Sequence, residues 1–162
     1  MKKIKNILIT CTGNTARSPV AEYLAKYYAK IQNIDLNIES AGEFNAFSYM
    51  QPESQEYLNS KGIKHTDFKP QTLSGTLINK QDLIITMAEH HKEHIFSVFG
   101  DIEGIRKKTF TLREFIDEPG DIIDPYYTDR TTYMKVLEEI DGLIKLMIKK
   151  IKKINDENGE DS

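Results

Sequence analysis

Apolar residues alternate along the chain between short continuous runs and stripes at helical spacing. Ile7, Leu8 and Ile9 are consecutive within Ile4–Thr10, as in a strand covered on both faces. Val20, Leu24, Tyr28 and Ile31 recur at helical spacing, so a helix is predicted from Ser18–Pro19 to about Lys30, with Ser18 as its cap and Pro19 at its first position. Leu36 to Ser40 is a second candidate strand, ended by Ala41-Gly42. Pro52–Ser60 is a helix stopped near Gly62. Leu83–Met87 is a third buried strand, Glu89–Phe99 a helix closed by Gly100, and Lys108–Leu112 a fourth strand. A loop from Glu114 to Asp129 carries Pro119, Gly120 and Pro125. The last helix is predicted from Thr131 to Ile154, with Ile140, Leu143, Met147, Ile151 and Ile154 at core spacing.

Strands alternating with helices predict an α/β fold: a three-layer sandwich with a central four-stranded parallel sheet and helices on both faces. Right-handed crossovers then place the functional loops at the carboxyl ends of the strands, where the loops after strands one and four both open. The expected organisation is a single domain over 1–154. The acidic tail 155–162, NDENGEDS, is expected to be disordered.

Composition narrows the function classes. The chain has 162 residues, 29% of them charged, and a formal net charge of -3, so no nucleic-acid partner is expected. Its one cysteine excludes an internal disulfide framework and a multi-cysteine metal site, and a cytoplasmic location is expected. The start MKKIKNILIT faintly mimics a signal peptide, but its apolar part runs into CTGN rather than a cleavage site. No window approaches the ~18 apolar residues of a membrane-spanning helix, and no membrane partner is expected.

That cysteine, Cys11, stands where the first strand ends, in CTGNTARSP. Gly13 relaxes the backbone, and a helix start at Ser18–Pro19 adds N–H donors and a favourable dipole for an anion. Arg17 offers a planar fork matched to two phosphate oxygens. The same donors would hold Cys11 as a thiolate, able to attack phosphorus in line. An Arg six residues after a given Cys and followed by Ser or Thr arises by chance at about one per cent. An inert buried thiol is the bland alternative. A nucleotide-binding Walker loop lacks its Gly-Lys pair here.

The segment Leu8–Glu22, LITCTGNTARSPVAE, resembles the signature of the low-molecular-weight protein tyrosine phosphatases. The resemblance extends in order to Ser40-Ala41-Gly42, to DLIITM at 82–87 and to Asp124-Pro125-Tyr126-Tyr127, covering nearly the whole chain. It implies Cys11 as nucleophile and Arg17 as phosphate clamp in a loop of Thr12, Gly13, Asn14, Thr15 and Ala16. Asn14 would hold the loop in shape with help from Ser40, and Ser18 would donate to the sulfur. Asp124 would protonate the leaving group and then activate water. A departing phenoxide needs such a proton, and a mobile Pro-bounded loop at the same sheet edge can bring it. Taken alone, Asp124 could equally make an Asx-turn before Pro125.

Substrate choice divides on three residues. Tyr126 and Tyr127 imply aromatic walls for a phosphotyrosine ring, which is the expectation taken forward. Thr15 stands where arginine-directed members of the family carry Thr and tyrosine-directed members a bulkier aliphatic residue, so phosphoarginine is the alternative. Ala16 replaces the second cysteine that many members carry, which predicts no internal disulfide after oxidation. Many members also support the loop asparagine with a histidine. An ungapped alignment puts Phe68 there, and His65 receives no role. His90, His91 and His94 sit on one predicted helix, and His90 with His94 could pinch a metal, but a solvent-facing helix start is the commoner reading. Lysines along the last helix are read as solvent-facing.

The sequence thus predicts a monomeric phosphomonoesterase acting on phosphoproteins without cofactor or metal. Thiol-coupled arsenate reductase would need two further cysteines, and a non-catalytic phosphate-binding module would be expected to lack Cys11 or Asp124.

Overall fold

The computed structural model of the chain describes residues 2–158. Four parallel strands run in the order β2-β1-β3-β4: β1 (Asn6–Cys11), β2 (Asn37–Gly42), β3 (Leu83–Thr86) and β4 (Thr109–Thr111). The helices are α1 (Arg17–Ile31), α2 (Pro52–Ser60), α3 (Gly75–Asn79), α4 (Glu89–Phe99), α5 (Ile105–Lys108), α6 (Leu112–Phe115) and α7 (Arg130–Asn158). The expected α/β sandwich is therefore present. The turns α3, α5 and α6 are four or five residues each, too short to leave a periodic signal.

Alternation along the strands sorts the core into two layers. Ile7, Ile9, Leu83 and Ile85 face α1 and α7, in a cluster that also holds Val20, Leu24, Leu137, Ile144 and Ile148. Leu8 and Ile84 point the other way, against Leu77, Ile78, Ile95 and Ile105 of α3, α4 and α5. The strand order reverses at β1, which has β2 on one side and β3 on the other. The crevice of an open parallel sheet lies at such a switch point, here beyond the carboxyl end of β1.

Strand ends shift by a residue or two, and two helix boundaries differ in ways that change what a side chain does. Helix α1 begins at Arg17 with Ala16 as its cap residue, not at Ser18. The Ser18 hydroxyl is turned inward and engaged by side chains, while Pro19 still falls within the first turn, where no N–H is needed. Helix α7 continues through Asn158, so residues 155–158 are not a disordered tail. Asn155 is buried and grips the start of the sheet, accepting from Ile4 N at 2.7 Å and donating to Ile4 O at 2.7 Å. Residues 159–162 of the acidic tail lie outside the described residues. Among the described residues, no helix is long and apolar enough to cross a membrane.

A polar knot fastens α7 to α1 and α2. Asp141 is buried on α7 and accepts from the Tyr28 hydroxyl, from the Tyr57 hydroxyl at 2.6 Å and from Lys61 Nζ at 2.9 Å. Burial pushes its carboxyl pKa up, but the Tyr28, Tyr57 and Lys61 bonds outweigh it and hold the group below its usual value. A carboxyl with a lowered folded pKa adds stability above its unfolded value, about 3.9, and loses it as pH falls through the folded value. Asp141→Ala is expected to lower unfolding free energy by about 2–3 kcal/mol near neutral pH in urea titrations, with the gap closing below about pH 4. A gap independent of pH would contradict this.

Candidate active site

Strand β1 ends by delivering Cys11 to the switch point, and the chain turns through residues 12–16 before entering α1. Asn14 takes a left-handed conformation with φ 55°. The neighbouring strand must come very close for this turn to fit. A Cβ on Gly42, the register partner of Cys11, would lie 2.7 Å from both Gly13 C and Asn14 N and 2.9 Å from Thr12 O. Only glycine allows that approach.

The loop's carbonyls and amides have different fates. Thr12 O accepts from Glu43 N at 2.7 Å, and Thr15 O accepts from Gln51 N at 2.8 Å. No acceptor among the described residues pairs with the N–H groups of Gly13, Asn14, Thr15 or Ala16. Four free donors beside the positive end of α1 make a cup for an anion.

Side chains beneath the loop fix its shape. Asn14 Oδ1 accepts from Gln71 N at 3.0 Å, which determines the orientation of the amide. Its Nδ2 then donates to Ser18 Oγ at 2.9 Å and to Ser40 Oγ at 2.8 Å. Ser40 passes its own proton to Glu22 Oε1 at 2.5 Å. Ser18 Oγ also lies 2.9 Å from Cys11 Sγ, where either atom can donate, and a sulfur ionised as thiolate takes the Ser18 proton. Cys11 itself is 2% exposed. Burial raises the Glu22 carboxyl pKa, opposed by bonds from Lys26 and Ser40. His65 takes no part in this network, since its Nε2 pairs with Asn59 Oδ1 at 2.8 Å, and Phe68 stacks edge-on against Tyr23.

Arg17 closes the cup from the side. Its buried guanidinium donates from Nη1 to Ile122 O at 2.7 Å, while Nη2 lies 3.4 Å from Thr12 Oγ1 and 3.7 Å from Asp124 Oδ2. Ile122 N in turn bonds Met87 O at the end of β3, so the loop bearing Asp124 is tied both to the sheet and to Arg17. Asp124 is half-exposed, its side chain 48% accessible. Its Oδ1 accepts from Tyr126 N at 3.0 Å, so the Asx-turn is present as well.

These parts surround one cavity of about 410 Å³. Of the residues expected at a site, Cys11, Thr12, Gly13, Thr15, Ala16, Arg17, Asp124, Tyr126 and Tyr127 line it. Asn14, Ser18 and Ser40 lie buried behind it. Tyr126 stacks edge-on against Phe47 at 5.7 Å, whereas Tyr127, with φ 72°, is almost wholly exposed.

Several residues at the site escaped the sequence reading. Phe44 and Phe47 form part of the wall, and the aromatic run FNAFSY could have flagged them. Glu22 lies one turn after Ser18 on the same helix face, a charge on the buried side, which was a usable signal. Ile122 acts through its carbonyl, which no side-chain pattern reveals. His91 corrects an expectation. It was grouped with solvent-facing His90 and His94 but is 1% exposed, receiving Ala88 N–H on Nδ1 at 3.1 Å and placing Nε2 3.0 Å from Thr12 Oγ1.

Comparison with known proteins agrees with this geometry. The family model for low molecular weight phosphotyrosine protein phosphatase matches residues 6–157. A protein-arginine-phosphatase from Bacillus subtilis is 34% identical over 150 residues, covering 91% of this chain and 97% of the relative. The low molecular weight protein-tyrosine-phosphatase PtpB of Staphylococcus aureus is 35% identical over 143 residues, covering 85% and 93%. The solved YwlE arginine phosphatase from Geobacillus stearothermophilus superposes with a TM-score of 0.84 at 30% identity, covering 94% of this chain and 96% of that one. A cysteine at the floor of an amide cup, an arginine at its side and a match along almost the whole length lead to one conclusion: the chain is a phosphatase and belongs to the low molecular weight phosphotyrosine protein phosphatase family.

Proposed function

We propose that the chain removes phosphate from arginine side chains of proteins through a cysteinyl-phosphate, with phosphotyrosine as a second substrate. The observation carrying the choice of arginine is Thr15. It is buried in the cavity wall and offers a small polar side chain beside the position an incoming phosphoryl group would take. A guanidinium is planar, cationic and rich in donors, so a hydroxyl at the wall and the half-exposed Asp124 carboxylate at the mouth suit it. The aromatic wall of Phe47 and Tyr126 does not discriminate. Arg stacks on such rings as readily as a phenol does, and this wall is what supports the phosphotyrosine reading.

In the proposed reaction the phosphoryl oxygens occupy the amide cup, held also by Arg17. The Cys11 sulfur attacks phosphorus in line, the S–P bond forms and the P–N or P–O bond to the leaving side chain breaks. The departing atom takes its proton from the Asp124 carboxyl. Water then attacks phosphorus, Asp124 accepts a proton from it, and the S–P bond breaks to release phosphate. The Ser18 proton on sulfur eases that departure. Every group used belongs to the chain, so no metal is assigned a step.

Two outcomes are expected. Cys11→Ser lowers turnover of para-nitrophenyl phosphate by more than about a thousandfold while inorganic phosphate still binds, and EDTA leaves wild-type turnover unchanged. Turnover lost in EDTA and restored by a divalent ion would contradict the mechanism. In competition between a phosphoarginine and a phosphotyrosine peptide, wild type favours the former. Thr15→Ile shifts the kcat/KM ratio about tenfold or more toward the latter. A ratio unmoved by Thr15→Ile would remove the case for arginine.

A further inference from the structure

His91 sits at the start of α4, on the opposite side of the cup from the Asn14 network, and has no step in the mechanism above. Its surroundings determine its protonation. The Ala88 backbone N–H can only donate, and it points to Nδ1 at 3.1 Å, so Nδ1 carries no proton. The ring is 1% exposed, and burial, followed by the nearby Arg17 charge, pushes its pKa down to about 3. A neutral ring with a bare Nδ1 carries its hydrogen on Nε2.

Among the described residues that hydrogen has one acceptor, Thr12 Oγ1 at 3.0 Å. Arg17 Nη2 approaches the same oxygen at 3.4 Å. A hydroxyl has two lone pairs and one proton. With both lone pairs facing donors, the Thr12 proton must leave in a third direction. No acceptor for it exists among the described residues, and Thr12 lines the cavity.

We propose that His91 is a positioning residue that fixes the Thr12 hydroxyl as a side-chain donor aimed into the phosphate cup, supplementing the backbone amides. The proposal rests on the reading of this cup as the phosphate site. Thr12 would touch a phosphoryl oxygen, and His91 would act only through Thr12. The neutral Nε2–H tautomer matters because a ring bare at Nε2 would draw the Thr12 proton to itself and away from the ligand. The same contact fastens the amino end of α4 to the loop, so the cup is held from both sides of the sheet.

The test is inhibition of para-nitrophenyl phosphate turnover by inorganic phosphate. Thr12→Val is expected to raise the inhibition constant about tenfold, while Thr12→Ser stays near wild type. His91→Leu is expected to raise it three- to tenfold in the parent chain but no further in the Thr12→Val background. His91→Gln, whose amide can donate from a similar position, should restore most of the loss. A merely structural histidine would instead weaken both backgrounds equally, and that result would overturn the proposal, as would unchanged phosphate inhibition in Thr12→Val. Should His91→Leu fail to fold, nitrogen NMR of the wild-type ring between about pH 6 and 8 decides. A protonated Nε2 with a bare Nδ1 supports the proposal, and the reverse tautomer overturns it. A wild type that neither turns over the ester nor binds phosphate would refute the phosphate-site reading itself. A normal wild type with an indifferent Thr12→Val refutes only the role given to Thr12 and His91.

Discussion

The site depends on keeping the N–H groups of Gly13 to Ala16 without internal partners. Buried donors left unpaired cost about 1–3 kcal/mol each, so an unrestrained chain would twist to satisfy them. Here the twist is prevented by bonds made elsewhere. The loop's carbonyls are engaged by Glu43 and Gln51, and its side chains by Gln71, Ser40 and Ser18, leaving the amides no alternative geometry. Asn14 is the hinge of this arrangement, because its left-handed backbone makes the turn and its amide takes three bonds. An anion that accepts from the cup recovers what the empty fold forgoes, so binding and catalysis share one source of energy.

Arg17 extends the same logic to the acid loop. Its guanidinium spends one nitrogen on the Ile122 carbonyl and keeps the other facing Thr12 and Asp124. The arginine therefore couples the phosphate cup to the loop that bears Asp124. Asp124 stays half-exposed, which suits the proton exchanges proposed for it with a leaving side chain and then with water. The aromatic wall and Thr15 add shape without altering this machinery.

Much of this was legible in the sequence, for identifiable reasons. Ile7-Leu8-Ile9 and LIITM are buried on both faces, and continuous apolar runs of that kind have few other uses. Cys11 and Arg17 stood out through the spacing in CTGNTARS and Asp124 through the family resemblance, and the three line one cavity. Ser18 was misread as a cap because the preference of serine for helix starts is real, yet a sulfur and an amide competed for its hydroxyl and won. The tail boundary failed at Asn155, a polar residue in an acidic run whose partner, Ile4, is 151 positions away. Ile122 and His91 act through backbone or long-range contacts that periodicity cannot register.

The central claim concerns the four amides, and they can be watched directly. In a proton–nitrogen NMR titration with inorganic phosphate, the account predicts that the N–H resonances of Gly13, Asn14, Thr15 and Ala16 move downfield together and saturate at one common dissociation constant. Resonances that stay in place while phosphate inhibits the enzyme, or that move only when surface amides move, would contradict it.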